Sequence, residues 1–265
     1  MPLSKLLDFP LIPIAIALAA ATTSAQDLAP QAIRVVTENL APYNMMENGR
    51  ITGMSTEVVQ DVLARVGSSP MIELLPWARA YDLALHAENV LIYSIARTPQ
   101  REHLFKWIGA IAPTSWFLFS LSKRPIVLNS LEDAKRYSIA TVNKDVGEQY
   151  LLGHGFKIGI QLQSSRVYEQ NYRKLKVDRV DLWISNELNA MSLIRQHGDD
   201  PNSIIRSLAL PELSSSEGLY MAFSLGTPDA VVAQYRQALQ SIRLDGTYSA
   251  VMQKWLGDPA PFTLK

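Results

Sequence analysis

Apolar and polar residues follow two different periods along this chain. Short apolar runs predict buried strands at residues 33–37, 71–75, 90–95, 114–121, 137–142, 159–162, 180–185 and 219–224. Between them, apolar residues at helical spacing predict helices at residues 56–66, 77–86, 145–152, 168–176, 187–196, 229–245 and 247–256. Strands that alternate with helices favour parallel α/β sheets. The elements form two similar series joined by two extended segments, which predicts two lobes with a cleft between them.

The segment IARTPQREHLFKW, residues 95–107, places a positive charge where the predicted structure disfavours one. Thr98 is typical of a helix N-cap and Pro99 of a first helical residue, so this pattern puts Arg101 in the first turn of a helix. A cation is disfavoured at that end of a helix. One bound carboxylate would satisfy both the guanidinium and the free N–H groups. The alternative is that Arg101 pairs with Glu102 or another surface acid.

Composition and charge exclude several classes of function. The 265 residues contain 25 basic and 25 acidic side chains, so net charge gives no electrostatic case for nucleic acid or an anionic membrane. The chain has four histidines and no cysteine, which argues against a structural zinc site and excludes disulfides. There is no nucleophile-elbow motif, no metal-ligand spacing and no phosphate-binding loop. No cofactor is implied.

The N-terminus resembles a secretory signal peptide. A lysine at position 5 precedes an apolar run at residues 11–21, and small residues lead to a predicted cleavage after Ala25. The alternative is an uncleaved membrane anchor. No cysteine follows the apolar run, so a lipid anchor is excluded at that point. We therefore expect a mature protein that is free in the periplasm.

Four segments of the chain carry a family resemblance: ENLAPYNMMENGRITGMSTEVVQDVLARVG, VLIYSIARTPQREHLFKW, DRVDLWISNE and IRLDGTYSAVMQKWLG. Together they resemble the family 3 extracellular solute-binding proteins, the periplasmic receptors of polar amino-acid importers. The resemblance implies an α/β fold of the type II periplasmic-binding-protein class, with two lobes and a two-strand hinge. Lobe 1 would be residues 26–113 and 218–265, lobe 2 residues 118–216, and the hinge would lie near residues 114–118 and 217–222.

The resemblance also implies a set of ligand contacts. The Thr-x-x-Arg turn makes Arg101 the partner of the ligand carboxylate, and Trp77 would stack on the ligand unless it belongs to the core. Tyr93 replaces a small residue and would narrow the pocket. Asn186 replaces the usual Asp that pairs with an α-amino group, and Glu38 or Glu187 could compensate. The candidate ligand-binding residues are Arg101, Trp77, Ser94, Tyr93, Asn186, Arg79, Glu38, Asp145, Val146 and Arg97.

Several of these residues have an alternative structural role. Arg97 can pair with an acid instead of the ligand, and Arg79 can either add a second anion contact or cover the surface. Asp145 can be a simple N-cap, with Glu148 completing a capping box. In that case its helix would offer the ligand only backbone N–H groups.

Three functions are compatible with the resemblance. The first is a monomeric binding protein that captures a small carboxylate-bearing solute, such as an amino acid, and delivers it to an ABC permease. The second is a receptor that reports its ligand to a membrane sensor kinase. The third is an enzyme similar to cyclohexadienyl dehydratases, for which Glu38, Asp145 or Glu187 would supply the acid or base.

Overall fold

The computed structural model describes residues 32–214 and 218–257. The strands are β1 Arg34–Thr37, β2 Met45–Glu47, β3 Arg50–Thr52, β4 Ile72–Leu74, β5 Val90–Ala96, β6 Phe105–Ala112, β7 Trp116–Leu121, β8 Ile139–Val142, β9 Leu162–Ser165, β10 Leu182–Asn186, β11 Ile204–Ala209 and β12 Leu219–Ser224. The α-helices are α1 Met54–Arg65, α2 Trp77–His86, α3 Val146–Gly153, α4 Tyr168–Lys176, α5 Glu187–Gln196, α6 Asp229–Leu244 and α7 Thr247–Leu256.

The first sheet has the strand order β4-β1-β5-β12-β6, and we call the part of the protein around it lobe 1. Strands β1, β4 and β5 are parallel, whereas β12 is antiparallel to both β5 and β6. Helices α1, α6 and α7 pack together on this lobe, and their buried aliphatic residues form a core with Val35, Leu91 and Tyr93. The last two described helices therefore complete the lobe that β1 begins.

The second sheet has the order β11-β7-β10-β8-β9, and we call the part around it lobe 2. Strands β8, β9 and β10 are parallel, and β7 is antiparallel to its neighbours β10 and β11. Trp183 on β10 is fully buried between Phe119 and Tyr172, as expected for a core tryptophan.

Each lobe therefore contains a mixed sheet, which corrects the expectation of purely parallel sheets. Each lobe has one antiparallel strand that the chain forms first after it crosses from the other lobe. This strand is β7 in lobe 2 and β12 in lobe 1. A chain that arrives from the other lobe enters at the cleft edge of the new sheet and runs away from it, whereas β1, β5, β8 and β10 run toward that edge.

Four local predictions need correction. The predicted helix after Thr98 is a hydrogen-bonded turn, with Arg101 N–H donating to the Thr98 carbonyl, followed by one short 3₁₀ helix at Glu102–Leu104. The sequence pattern predicts no element at residues 105–112, which form the strand β6. Strand β11 was not predicted, and β9 lies three residues after its predicted start.

The predicted capping box is not formed. Glu148 accepts the N–H of Lys144, the residue before the N-cap, at 3.0 Å and the Thr141 hydroxyl at 2.6 Å, and Asp145 makes no side-chain cap. The signal peptide with its cleavage site, residues 215–217 of the second crossing and the last eight residues lie outside the described residues. Within the described ranges, no helix is long and apolar enough to cross a membrane.

Candidate ligand cleft

The two lobes bring the ends of their strands to a common edge. In lobe 1, Ala96 at the end of β5 and Ala112 at the end of β6 both pair with Leu219, the first residue of β12. In lobe 2, Asn186 at the end of β10 pairs with Trp116 at the start of β7. Loops that follow the carboxyl ends of parallel strands are the usual place for ligand sites in α/β folds.

Arg101 is the most buried charge at this edge, with 1% of its surface exposed. Its guanidinium donates to three neutral acceptors: the Ala96 carbonyl at 3.3 Å, the Lys144 carbonyl at 3.3 Å and the Gln149 side-chain oxygen at 3.1 Å. Within the described residues it has no carboxylate within ion-pair distance, and burial lowers its pKa. A buried arginine that makes no direct ion pair, although the charge of Asp145 acts on it, is costly, which suits a site where an anionic group of a ligand contacts the guanidinium.

Two aromatic rings from α2 hold this guanidinium. Its Cζ atom lies 5.4 Å from the ring centroid of Trp77 and 4.9 Å from that of Tyr81, both within the range of cation–π attraction. The two rings stack with centroids 5.6 Å apart. The indole of Trp77 is therefore a core group that packs against Tyr81 and Arg101, and its stacking on a ligand stays a prediction.

Two buried carboxylates share the electrostatic environment of Arg101. Burial raises the pKa of Glu38 well above its ordinary value, and the negative charge of Asp145 raises it further. Burial also raises the pKa of Asp145, whereas the Tyr168 hydroxyl, which donates to its Oδ2, and Arg101 act to lower it. The cleft therefore holds one cation and two acids that are difficult to ionise together without a further positive charge.

The side chain of Asn186 caps α5. Its Oδ1 accepts the N–H of Asn189 at 2.9 Å, which fixes the amide orientation because a backbone N–H can only donate. Its Nδ2 is buried and has no partner within the described residues. A carboxylate at this position could cap the helix equally well but could not present that donor.

Lys144 joins the lobes through three contacts. Its carbonyl oxygen in lobe 2 accepts both the Trp77 indole N–H at 2.9 Å and one Arg101 N–H, and its ammonium pairs with Asp82 at 2.8 Å. Asn189 adds a 2.9 Å hydrogen bond to the Ala41 carbonyl of lobe 1. The lobes are thus held closed by groups that lie directly beside Arg101.

The structure brings together Arg101, Trp77, Glu38 and Asp145, with Val146 buried at the start of α3. The first N–H groups of α3 have no acceptor inside the helix, as at any helix start. Ser94 is buried, adopts a left-handed backbone conformation with φ of 60°, and donates to Asn44, whose amide in turn donates to the Glu38 carbonyl.

The other predicted residues have different surroundings. Tyr93 lies in the core beneath α1, where its hydroxyl meets Thr56 at 2.9 Å, so the expectation that its ring narrows the pocket is wrong. Arg97 forms a two-point ion pair with Glu102, and Glu187 pairs with Arg206. Arg79 is exposed and lines a groove that includes none of Arg101, Glu38 and Asp145.

Sequence reasoning did not identify several polar groups of this region. They are Asn44, Tyr81, Lys144, Gln149, Tyr168 and Asn189. Four of them lie within predicted helices, and nothing in the residue type of any of the six separates it from a surface residue. Among the residues described, no cluster of His, Asp and Glu could hold a metal ion.

Residues 33–258 match the family of bacterial extracellular solute-binding proteins, family 3. This match covers most of the chain. The protein belongs to this family. As a family 3 solute-binding protein, it has the two-lobed α/β fold that the resemblance implied, with the closed cleft described above.

Relatives and solved structures agree with this assignment. A probable amino-acid ABC transporter-binding protein of Haemophilus influenzae is 23% identical over 231 residues, which cover 82% of this chain and 81% of the relative. The L-cystine-binding protein TcyA of Bacillus subtilis is 21% identical, with 82% and 76% covered. A histidine kinase sensor domain similar to periplasmic binding proteins shares the fold, with a TM-score of 0.75 at 18% identity over 86% of this chain and 97% of that domain.

Proposed function

We propose that this solute-binding protein captures a small zwitterionic solute, such as an amino acid, by closing its two lobes on it, and delivers it to an ABC permease. The single observation that carries this proposal is Arg101. It is a fully buried guanidinium at the lobe interface whose hydrogen-bond partners are all neutral. A ligand carboxylate would supply the direct ion pair that Arg101 does not make with the described residues.

The rest of the cleft favours a ligand that also carries a positive charge. Glu38 and Asp145 outnumber the single cation Arg101, and burial of the two acids raises the pKa of each. An ammonium group between them would offset that cost, because an opposite charge within a few ångströms favours ionised carboxylates. In this arrangement Glu38 and Asp145 neutralise the ligand ammonium group, which the uncharged side chain of Asn186 cannot do.

The surroundings of the site suit capture and release. Lobe 1 would comprise residues 26–113 and 218–265 and lobe 2 residues 118–216, so that closure makes contacts from both lobes that neither makes alone. The protein would act in the periplasm as a monomer after cleavage behind Ala25. Both relatives described above carry names of binding proteins rather than enzymes.

A second candidate is a sensory role. The likeness to a histidine kinase sensor domain shows that the same fold serves a receptor, and such a receptor would use the same cleft. An enzymatic role would need Glu38 or Asp145 to exchange a proton with a bound substrate. That role predicts product formation, whereas binding and sensing leave the solute unchanged.

A thermal-shift screen of amino acids and related carboxylates tests the proposal. A ligand at about one hundred times its dissociation constant stabilises the fold by roughly 2.7 kcal/mol. The shift should vanish for decarboxylated amines of the same side chain and in the Arg101→Ala protein. Stabilisation by such amines at the same concentration would exclude the carboxylate contact. Mass analysis of the recovered ligand separates binding from catalysis.

A further inference from the structure

A groove of about 1140 Å³ runs between the lobes, apart from the cleft cluster. Lobe 1 lines it with Pro76, Ala78 and Arg79 from the start of α2, and lobe 2 with the α4 region. It has six basic side chains: Arg79, Arg166, Arg173, Lys174, Lys176 and Arg179. None of the described residues that line it is acidic. We call it the basic groove.

Internal ion pairs neutralise only part of this charge. Arg173 pairs with Glu169 and Lys176 pairs with Asp199, each at 2.5 Å. The remaining four cations form no salt bridge with residues 32–214 and 218–257, although Arg79 is close enough to Glu73 to lower the pKa of that carboxyl and Lys174 donates to the Ser165 hydroxyl. They are Arg79, Arg166, Lys174 and Arg179. This one-sided positive charge favours an anionic partner at the groove.

The unpaired cations come from separate elements. Arg79 lies on α2 in lobe 1, whereas Arg166 precedes α4 and Arg179 follows it in lobe 2. Their separation along the chain and across the lobes suits an extended anion better than a compact one. The exposed apolar side chain of Val177, 60% accessible, lies among them and could pack on carbon atoms of a polypeptide.

We propose that the basic groove docks an acidic segment of a protein partner, and that it does so only when the lobes are closed. The proposal rests on the proposed function, because a transporter component that accepts solute has to distinguish the closed protein from the open one. Opening the lobes would move Arg79 away from the lobe 2 cations. All the cations of the basic groove therefore lie together only in the closed protein. A bilayer surface is a poorer match, since a flat array of headgroups cannot enter a groove.

The test uses the full mature chain, locked closed without any solute. The chain has no cysteine, so Asp82→Cys and Lys144→Cys create a unique pair where a 2.8 Å ion pair now joins the lobes. A short thiol-reactive bridging reagent then fixes the lobes together. The probe is a fluorescently labelled oligo-glutamate peptide, measured by anisotropy at low salt. We expect the bridged protein to bind the peptide more tightly than the same protein left unbridged.

Two matched triple variants in the bridged background assign the surface. Arg79→Ala, Arg166→Ala and Arg179→Ala together should weaken peptide binding by about tenfold or more, since one exposed ion pair accounts for about two- to fivefold. Arg50→Ala, Lys157→Ala and Arg195→Ala remove the same charge from exposed positions, one on lobe 1 and two on lobe 2, and none of them lines the groove. This control should keep the affinity of the bridged protein.

Four outcomes overturn the proposal. They are no peptide binding at low salt, equal binding by bridged and unbridged protein, equal losses in the two triple variants, and inorganic tripolyphosphate or phosphatidylglycerol vesicles binding as tightly as the peptide. The bridged protein needs no solute, so peptide docking can succeed even if the thermal-shift screen finds no ligand. Conversely, a protein that binds solute but ignores the peptide keeps its proposed function and loses only the docking surface.

Discussion

The indole N–H of Trp77 in lobe 1 donates a 2.9 Å hydrogen bond to the carbonyl oxygen of Lys144 in lobe 2. Lys144 has the left-handed backbone conformation, with φ of 60°, and the same carbonyl accepts an N–H of Arg101. A single backbone oxygen therefore contacts both the aromatic wall and the predicted carboxylate anchor. If Arg101 and Trp77 contact the ligand as predicted, ligand binding and lobe closure will be coupled through these three residues.

Arg101→Ala should lower solute affinity at least about thirtyfold, since losing one partner of a desolvated charged contact costs on the order of 2–5 kcal/mol. Arg101→Lys should fail to restore binding, because an ammonium cannot reproduce the planar fork. Calorimetric titration with a solute from the thermal-shift screen measures both. Arg97→Ala is the comparison, because the Arg97 guanidinium is already paired with Glu102. The solute affinity of this variant should stay close to that of the wild type. Equal losses of solute affinity in the two alanine variants would show that Arg101 is not the main contact of the ligand carboxylate.

Trp77→Phe should reduce affinity by about two- to tenfold, because it keeps a ring and removes a hydrogen bond worth about 0.5–1.5 kcal/mol. Trp107→Phe is a matched control, since its indole donates a 3.0 Å hydrogen bond to the Glu102 carbonyl within lobe 1. It should cost stability without changing affinity. Calorimetry and thermal unfolding compare the two variants. An identical solute affinity for both would show that the Trp77 hydrogen bond between the lobes does not contribute to binding.

Raising the pH should open the ligand-free protein. Burial raises the pKa of Glu38 above its ordinary value of 4.5 in the closed form, so the closed form holds a proton that the open, hydrated form releases. Protonated Glu38 stabilises the closed form fully at pH values below its ordinary pKa. This stabilisation is lost as the pH rises through the raised pKa of the closed form. Asp145 contributes with the same sign. Fluorescence energy transfer between labels at Arg50→Cys and Lys157→Cys measures the opening.

Glu38→Gln should flatten this pH response, because glutamine does not titrate, while Glu47→Gln on the exposed β2–β3 hairpin should leave it unchanged. A Glu38→Gln protein that opens over the same pH range as wild type would show that another group controls closure.

Asn186→Asp should weaken solute binding by about tenfold while the protein remains folded. Aspartate is as good an N-cap as asparagine, so the bond to Asn189 N–H survives. The exchange removes the unpartnered Nδ2 donor and adds a third acid to the cleft, and a lost hydrogen bond to a charged group costs about 1.5 kcal/mol or more. Calorimetry beside a melting curve checks both parts. Tighter binding would mean that Asn186 faces the ligand amine instead.

The secreted protein should begin near Gln26. Its small residues up to Ala25 suit signal peptidase, and removal leaves a chain that starts shortly before β1. Intact-mass measurement of protein from the periplasmic fraction gives the answer. A mass that includes residues 1–25 would favour the anchored alternative.

Several features of this protein could be read from the sequence because they depend on local periodicity and on residue type. The apolar runs of β1, β5, β8, β10 and β12 are strands, and the amphipathic segments of α1, α2 and α4–α7 are helices. The Thr-x-x-Arg turn pointed to Arg101, which the structure buries between the lobes, and its role toward a ligand stays a prediction. The physical reason for singling it out was incomplete, since no α-helix begins there.

The remaining features required the tertiary structure, because they depend on groups that are far apart in the chain. The sequence pattern predicts no element at residues 105–112, but these residues form the edge strand β6, whose backbone pairs on one side with β12. Tyr93 and Ser94 are adjacent in sequence, yet the alternation of a strand sends one to the core and the other toward Asn44. The hydrogen bond of Trp77 to the Lys144 carbonyl, and the effect of the Asp145 charge on the pKa of Glu38, each join groups from two different lobes.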